Sequence, residues 1–226
     1  MGVAILLLAA CRDSASDGVP AAQQSSEPAA APTATPVTGE RPAIVILGTS
    51  LTAGYGLDPD SSYPAVVQRL IDSARLDYEV VNAGVSGESS AGALRRIDWV
   101  LKGEPAVLVI ETGANDGLRG QDPDSIRANI QAMINRTREK SPATKIVLAS
   151  MEAMPNLGAG YIRRFRAIYP ALASANRVSL LPFILEGVAG VDSLNQDDGI
   201  HPNSAGARLV AATVWRGLEP LLVRQP

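Results

Sequence analysis

The sequence predicts an α/β fold in which a five-stranded parallel sheet lies between two layers of helices. Short apolar runs rich in β-branched residues alternate five times with longer segments whose apolar residues recur at helical spacing. Continuous apolar runs are typical of strands buried on both faces, and their alternation with helices favours a parallel sheet that is covered on both sides. An apolar fraction of 46% in 226 residues is enough for one full core and an appendage.

The first half of the domain shows both patterns. Ile44–Leu47 is a run of four apolar residues that predicts the first strand, and 78–82 predicts the second. The segments 60–74 and 89–101 carry apolar residues at helical spacing and are predicted helices. Trp99 falls in the second of these helices, where we expect it in the core.

The second half repeats the alternation. Ala106–Ile110 is a continuous apolar strand, and 111–117 is the loop at its carboxyl end. The clearest helix is 124–140, which has four large apolar residues on one face. The remaining predicted strands are 146–149 and 178–181, and the remaining predicted helices are 161–175 and 204–218.

Composition excludes several classes of function. The net charge of −3 lies in the first forty residues, and the rest of the chain carries equal numbers of acidic and basic side chains. Since no basic cluster is interleaved with aromatics, we expect no nucleic-acid partner. A single cysteine excludes an internal disulfide, and with a single histidine it excludes the common structural zinc sites. We expect neither a metal nor a cofactor.

The amino terminus has the pattern of an export signal. Residues 3–10 form an apolar run that is too short to span a bilayer but suits the core of a secretory signal. Leu8-Ala9-Ala10-Cys11 resembles the bacterial lipoprotein processing box, in which the cysteine is lipidated. We therefore predict a lipoprotein-type signal over 1–11, although no basic residue precedes the run. A simple secretory signal or an uncleaved apolar terminus is the alternative.

Residues 12–41 are rich in Ala, Pro, Ser, Thr and acidic residues. Such a segment cannot bury apolar surface, so we predict a disordered tether with an average span of ~30 Å. The folded domain is then 42–226. A lipid on Cys11 places the protein in the bacterial cell envelope, either periplasmic or tethered to a membrane.

The candidate catalytic residues follow the predicted strands. Ser50 comes directly after the first strand, Gly87 after the second and Asn115 after the third, while Asp198 and His201 precede the last helix. In an open α/β sheet these loops meet at one edge. Acyl transfer by serine needs a base, a carboxylate that orients the base, and donors for the oxyanion. Singly, each residue could be an ordinary turn, cap or surface residue. Together they predict a catalytic site.

The chain resembles the SGNH (GDSL-type) serine hydrolases from about residue 44 to the last helix. The resemblance rests on four separated blocks in the family's order: Gly48-Thr49-Ser50-Leu51, Ser86-Gly87-Glu88, Gly113-Ala114-Asn115-Asp116 and Asp198-Gly199-Ile200-His201-Pro202. The resemblance implies a flavodoxin-like three-layer α/β/α sandwich. It also implies a monomeric esterase that acts on small acyl esters, thioesters or lipids through an acyl-enzyme.

By this resemblance Ser50 is the nucleophile, His201 the base and Asp198 the carboxylate that orients it. The backbone N–H groups of Ser50 and Gly87 and the side-chain amide of Asn115 would form the oxyanion hole. The chain departs from the family at position 49, where an acidic residue is usual and this sequence has threonine. A threonine can keep a hydroxyl hydrogen bond but not the charge of a carboxylate.

Other interpretations remain open. A carbohydrate O-acetylesterase of the same fold fits the same motifs, and the departure at position 49 also allows a catalytically silent domain that binds acyl groups or glycans. The α/β-hydrolase signature G-x-S-x-G is absent because position 52 is Thr. We expect Glu111, Asp116 and Arg119 to be supporting or ion-pair residues. The segment 151–160 is either an acyl-binding wall or part of the core.

Overall fold

The five strands pair in parallel into one sheet in the order β2-β1-β3-β4-β5. The structure, a computed structural model, describes residues 41–223. The strands are β1 Ala43–Gly48, β2 Glu79–Gly84, β3 Val107–Ile110, β4 Lys145–Ser150 and β5 Ser179–Phe183. This parallel α/β architecture confirms the predicted fold class. Since β2 and β3 lie on opposite sides of β1, the strand order reverses there, which is where sheets of this kind bind ligands.

Seven α-helices cover the sheet over the described residues. They are α1 Ser50–Ala53, α2 Tyr63–Ser73, α3 Ser90–Val100, α4 Ala114–Leu118, α5 Pro123–Lys140, α6 Ala159–Asn176 and α7 Ser204–Leu218. Helix α2 packs against α7, and α5 packs between α3 and α6. All residues of β1 and β3 are buried, as expected for central strands with helices on both faces.

The structure corrects the prediction for Trp99. Its side chain is 47% exposed and lies outside the core. Helix α3 turns Ala93, Ile97 and Val100 toward the sheet, which is the i, i+4, i+7 stripe of an amphipathic helix. Residue 99 falls off that stripe, so its ring meets solvent.

Two predicted boundaries also change. The loop predicted at 111–117 contains the short helix α4, which places Asn115 in a first helical turn. The fifth strand continues to Phe183 and so includes Pro182, which β5 tolerates because it is an edge strand. Both changes lie close to the candidate site and affect the direction of its loops.

Residues 1–40 lie outside the described part of the chain, and Cys11 with the predicted signal and most of the predicted tether lies among them. Those assignments therefore stay predictions. Within residues 41–223, no helix combines the length and apolar character needed to cross a membrane.

Candidate active site

Ser50 lies on a tight turn between β1 and α1. Strand β1 ends at Gly48, Thr49 is the N-cap, and α1 starts at Ser50 itself. A Cβ at position 48 would lie 1.9 Å from Thr52 Oγ1, and one at Gly84 would lie 2.2 Å from the backbone nitrogen of Ala53. Glycine at the ends of both strands therefore lets α1 pack directly against the sheet.

Ser50, His201 and Asp198 form one continuous line of hydrogen bonds. His201 Nε2 lies 2.9 Å from Ser50 Oγ, and His201 Nδ1 lies 2.6 Å from Asp198 Oδ2. The other carboxylate oxygen of Asp198 accepts from the backbone N–H groups of Ile200 and His201. These bonds lower the pKa of Asp198 to about 2, so its carboxylate is ionised and only accepts. Nδ1 then carries the imidazole proton, and Nε2 is free to accept from Ser50.

Gln196 connects the loop of His201 to the turn of Ser50. Its side-chain N–H group donates to the carbonyls of Tyr55 at 2.7 Å and Pro202 at 3.0 Å, and its backbone N–H donates to the His201 carbonyl. The Tyr55 ring lies 4.7 Å from the His201 ring. Neither contact was predictable from the sequence, because Tyr55 lies far from both partners along the chain, 141 residues from Gln196.

The residues predicted for the oxyanion hole lie in the same groove as Ser50. Gly87 has φ +76°, a left-handed conformation that favours glycine, and its carbonyl accepts from Arg119 at 2.9 Å. One N–H of the Asn115 amide donates to the Glu88 carbonyl at 3.0 Å. Among residues 41–223 its second N–H has no hydrogen-bond partner, so it can donate to another acceptor.

Two acidic side chains, Glu88 and Asp116, anchor the loop between β2 and α3 that carries Gly87. Glu88 forms a partly buried ion pair with Arg96, whose guanidinium also donates to the Ala83 carbonyl. Asp116 is buried and accepts from the backbone N–H and the hydroxyl of Ser90. Asp116 and Arg119 support this loop through hydrogen bonds, and neither forms an ion pair within residues 41–223.

Glu111 supports the turn of Ser50 through hydrogen bonds to the residues on either side of it. Its carboxylate is fully buried and accepts from the Thr49 N–H at 2.8 Å, from the Thr49 hydroxyl at 3.0 Å and from the Thr52 hydroxyl at 2.9 Å. Burial raises its pKa from 4.5 to about 7, against the opposing effect of these hydrogen bonds. Thr49 thus faces a carboxylate supplied by the end of β3. The sequence gives no sign of this pairing, because it joins residues 62 apart.

An open groove of about 590 Å³ extends from Ser50 and His201. Its walls are largely apolar and come from several loops: Leu118, Met151, Met154, Pro155, Phe183, Leu185 and Ile200. Met151 is buried and Met154 is 43% exposed, so the segment after β4 contributes both to the core and to the groove wall. The part of the chain that the structure describes holds no group of three or more His, Cys, Asp or Glu placed to bind a metal ion.

Comparison with known proteins shows which family the chain resembles. The model of the GDSL-like lipase/acylhydrolase family matches residues 46–209. Esterase TesA of Pseudomonas aeruginosa is 40% identical over 180 residues, which cover 79% of this chain and 89% of that protein. Thioesterase 1/protease 1/lysophospholipase L1 of Escherichia coli K12 is 35% identical over 180 residues, 79% of this chain and 84% of that one.

Solved structures show the same similarity. The crystal structure of TesA superposes with a TM-score of 0.76 at 39% identity, covering 80% of this chain and 99% of that one. AlinE4, described as an SGNH-hydrolase family esterase, gives a TM-score of 0.66 at 40% identity over 82% of this chain and 99% of that one. The chain therefore belongs to the GDSL-like lipase/acylhydrolase family, and it is a hydrolase of carboxylic esters.

Proposed function

We propose that Ser50 is the nucleophile of this esterase, that His201 is its general base and that Asp198 orients His201. The observation that carries the proposal is the continuous line from Asp198 Oδ2 through both ring nitrogens to Ser50 Oγ, with distances of 2.6 and 2.9 Å. These are hydrogen-bonding distances, which a base and its nucleophile need for proton transfer.

The proposed reaction follows from this line. Ser50 Oγ attacks the acyl carbon while its proton moves to His201 Nε2. The tetrahedral oxyanion is stabilised by the N–H groups of Ser50 and Gly87 and by the free N–H of Asn115, and removal of one such donor typically costs about 10²–10³ in kcat. His201 then protonates the leaving alcohol or thiol. Water, activated by the same nitrogen, releases the acid from Ser50.

We propose that the substrates are esters or thioesters of aliphatic or aryl acids, including lysophospholipids. The support is the apolar wall beside Ser50, where Met151, Met154 and Phe183 offer carbon atoms to an acyl chain, and the names esterase, arylesterase and thioesterase/lysophospholipase of the relatives. An acetyl group on a sugar would leave most of this wall uncovered. The wall therefore favours longer acyl groups over a carbohydrate O-acetylesterase.

The catalytic proposal is tested by labelling with a fluorophosphonate. The parent protein is expected to take up one probe per chain at Ser50, and S50A is expected to take up none and to lose ester hydrolysis. A panel of nitrophenyl esters from acetate to laurate then measures acyl preference. Hydrolysis by S50A at the parent rate contradicts the assignment of the nucleophile, and preference for acetylated sugars over longer acyl esters favours the O-acetylesterase.

We also propose that the protein is a lipoprotein of the bacterial cell envelope, anchored through Cys11. The support is the apolar run that ends in Leu8-Ala9-Ala10-Cys11. Metabolic labelling with a palmitate analogue in a bacterial host tests this. Label is expected on the parent and not on C11S. Equal labelling of both proteins, or of neither, contradicts the anchor.

A further inference from the structure

Glu111 is a fully buried carboxyl group whose side-chain hydrogen bonds all involve the turn that carries Ser50. Its three donors belong to Thr49 and Thr52, which flank Ser50 on both sides. Glu111 forms no salt bridge with any of residues 41–223. Burial of a carboxylate without a cation lowers the free energy of unfolding, so packing alone does not explain why Glu111 occupies this position.

The direction of these hydrogen bonds fits the ionised carboxylate. The Thr49 N–H can only donate. Tyr63 OH lies 2.6 Å from Thr52 Oγ1, so a Tyr63-to-Thr52-to-Glu111 chain uses every hydroxyl proton once and ends on an acceptor. A protonated Glu111 has to donate to one of its neighbours and turns a threonine hydroxyl away. The ionised form therefore holds the turn, and the protonated form loosens it.

We propose that Glu111 is a positioning residue for ester hydrolysis: its ionised carboxylate fixes Thr49 and Thr52 and thereby holds the Ser50 hydroxyl and N–H in their reactive positions. The inference rests on the proposed role of Ser50. At position 49, where the family usually has an acidic residue, Thr49 donates both its N–H and its hydroxyl to this carboxylate.

The titratable and charged groups around Glu111 show which of them can change charge as the pH changes. Tyr63 of α2 and Tyr169 of α6 are buried, and burial together with the charge of Glu111 raises the pKa of each well above 10. Arg96 of α3 donates to the Gly48 carbonyl at 3.4 Å but is already paired with Glu88. Both tyrosines therefore stay protonated below neutral pH, and Glu111, whose pKa burial raises to about 7, is the buried group beside the nucleophile that changes charge.

The first experiment compares E111Q with the parent. Glutamine has the same size and removes the charge. We expect kcat for a nitrophenyl ester to fall by roughly 10- to 100-fold, since misplacement of a reacting group by about 1 Å can cost 10², while KM changes less than about twofold. The acid limb of log kcat/KM against pH is expected to be steeper in the parent than in E111Q, because Glu111 must lose a proton in the parent and the glutamine has none to lose.

The second experiment changes the donors and leaves the carboxylate in place. T49V and T52V each remove one hydroxyl and are expected to lower kcat, while T49S keeps its hydroxyl and is expected to stay within about twofold of the parent. T137V is the matched control, because Thr137 is equally buried and its hydroxyl bonds only to the Met133 carbonyl in α5. It is expected to keep the parent kcat.

The outcomes separate this inference from the proposed function. An E111Q enzyme with the parent kcat and the parent acid slope overturns the positioning role even where S50A is inactive. If E111Q does not fold, T49V and T52V decide the question, and parent-like kcat in both of them overturns the inference. An active S50A enzyme contradicts the proposed nucleophile itself, whatever E111Q does.

Discussion

At the scale of single residues, the site depends on carboxyl groups in opposite environments. Asp198 is partly exposed and surrounded by donors, which lower its pKa to about 2. Glu111 is buried without a cation, and burial raises its pKa to about 7. The first therefore keeps its charge at any pH where the protein works, and the second changes charge near neutrality.

The constant charge of Asp198 leads to the first prediction. D198N keeps the shape of the side chain but offers Nδ1 an amide in place of a carboxylate, so the imidazole tautomer that accepts from Ser50 is lost. We expect kcat to fall by about 10⁴, as for triads of this type, with unchanged circular dichroism. The rate of fluorophosphonate labelling is expected to fall with it. A labelling rate equal to that of the parent would show that Asp198 does not control the base.

The raised pKa of Glu111 leads to the second prediction, on stability. The folded state holds the Glu111 proton more tightly than the unfolded chain does. The stabilisation that this proton gives the folded state is therefore complete below pH ~4.5, and it is lost as the pH rises through about 7. The conversion from pKa to free energy gives about 3 kcal/mol in all. The free energy of unfolding is expected to fall further in the parent than in E111Q between pH 4.5 and pH 8.

Urea unfolding at both pH values measures this difference. E139Q is the control, because Glu139 is an exposed carboxylate in α5, and it should follow the parent. Parallel curves for the parent and E111Q would contradict the buried ionisation.

At the scale of elements, close packing of α1 against the strand ends fixes the direction of Ser50. The third prediction is that G84A damages both fold and activity, because the new Cβ would lie 2.2 Å from the backbone nitrogen of Ala53 and 2.7 Å from its Cα. We expect a loss of 1–3 kcal/mol, as is typical of overpacking, and a lower kcat. Thermal unfolding and ester hydrolysis measure both effects.

G160A is the matched control for this change. Gly160 lies in α6, and a Cβ there meets nothing within 4 Å. Alanine is a better helix former than glycine, so G160A is expected to keep activity and at least the parent melting temperature. A G84A protein as stable and active as G160A would contradict the packing argument.

The same scale shows what the sequence could and could not predict. The strands and the meeting of Ser50 with His201 were predictable, because apolar runs mark buried strands and the loops after them share one edge. Trp99, α4 and the hydrogen-bond partners of Glu111 were not. The exposure of Trp99 depends on which stripe of α3 faces the sheet, and one partner of Glu111 is a hydroxyl 62 residues away along the chain. Local pattern carries neither kind of information.

At the scale of the whole molecule, the described contacts of the candidate site are all made by the described domain. Every contact of the candidate site described above lies between residues 48 and 203. The fourth prediction is that a protein starting at residue 41 keeps the parent kcat/KM for soluble nitrophenyl esters and the parent melting temperature. Arg41 belongs in this variant because it pairs with Asp72 and Asp77.

Activity and differential scanning fluorimetry of both proteins measure this outcome. A large loss of kcat/KM in the shortened protein would mean that the first forty residues contribute to the groove, and the predicted boundary near residue 41 would then be wrong.

The separation of 151 residues between Ser50 and His201 has a consequence for the order of events during refolding. The Ser50 hydroxyl follows the first strand, and the His201 imidazole belongs to the segment after the fifth strand. A chain interrupted before residue 198 displays the hydroxyl without its proton acceptor. The onset of ester cleavage after dilution from denaturant therefore reports when the loop of His201 packs beside Ser50. It should lag behind the recovery of helical circular dichroism.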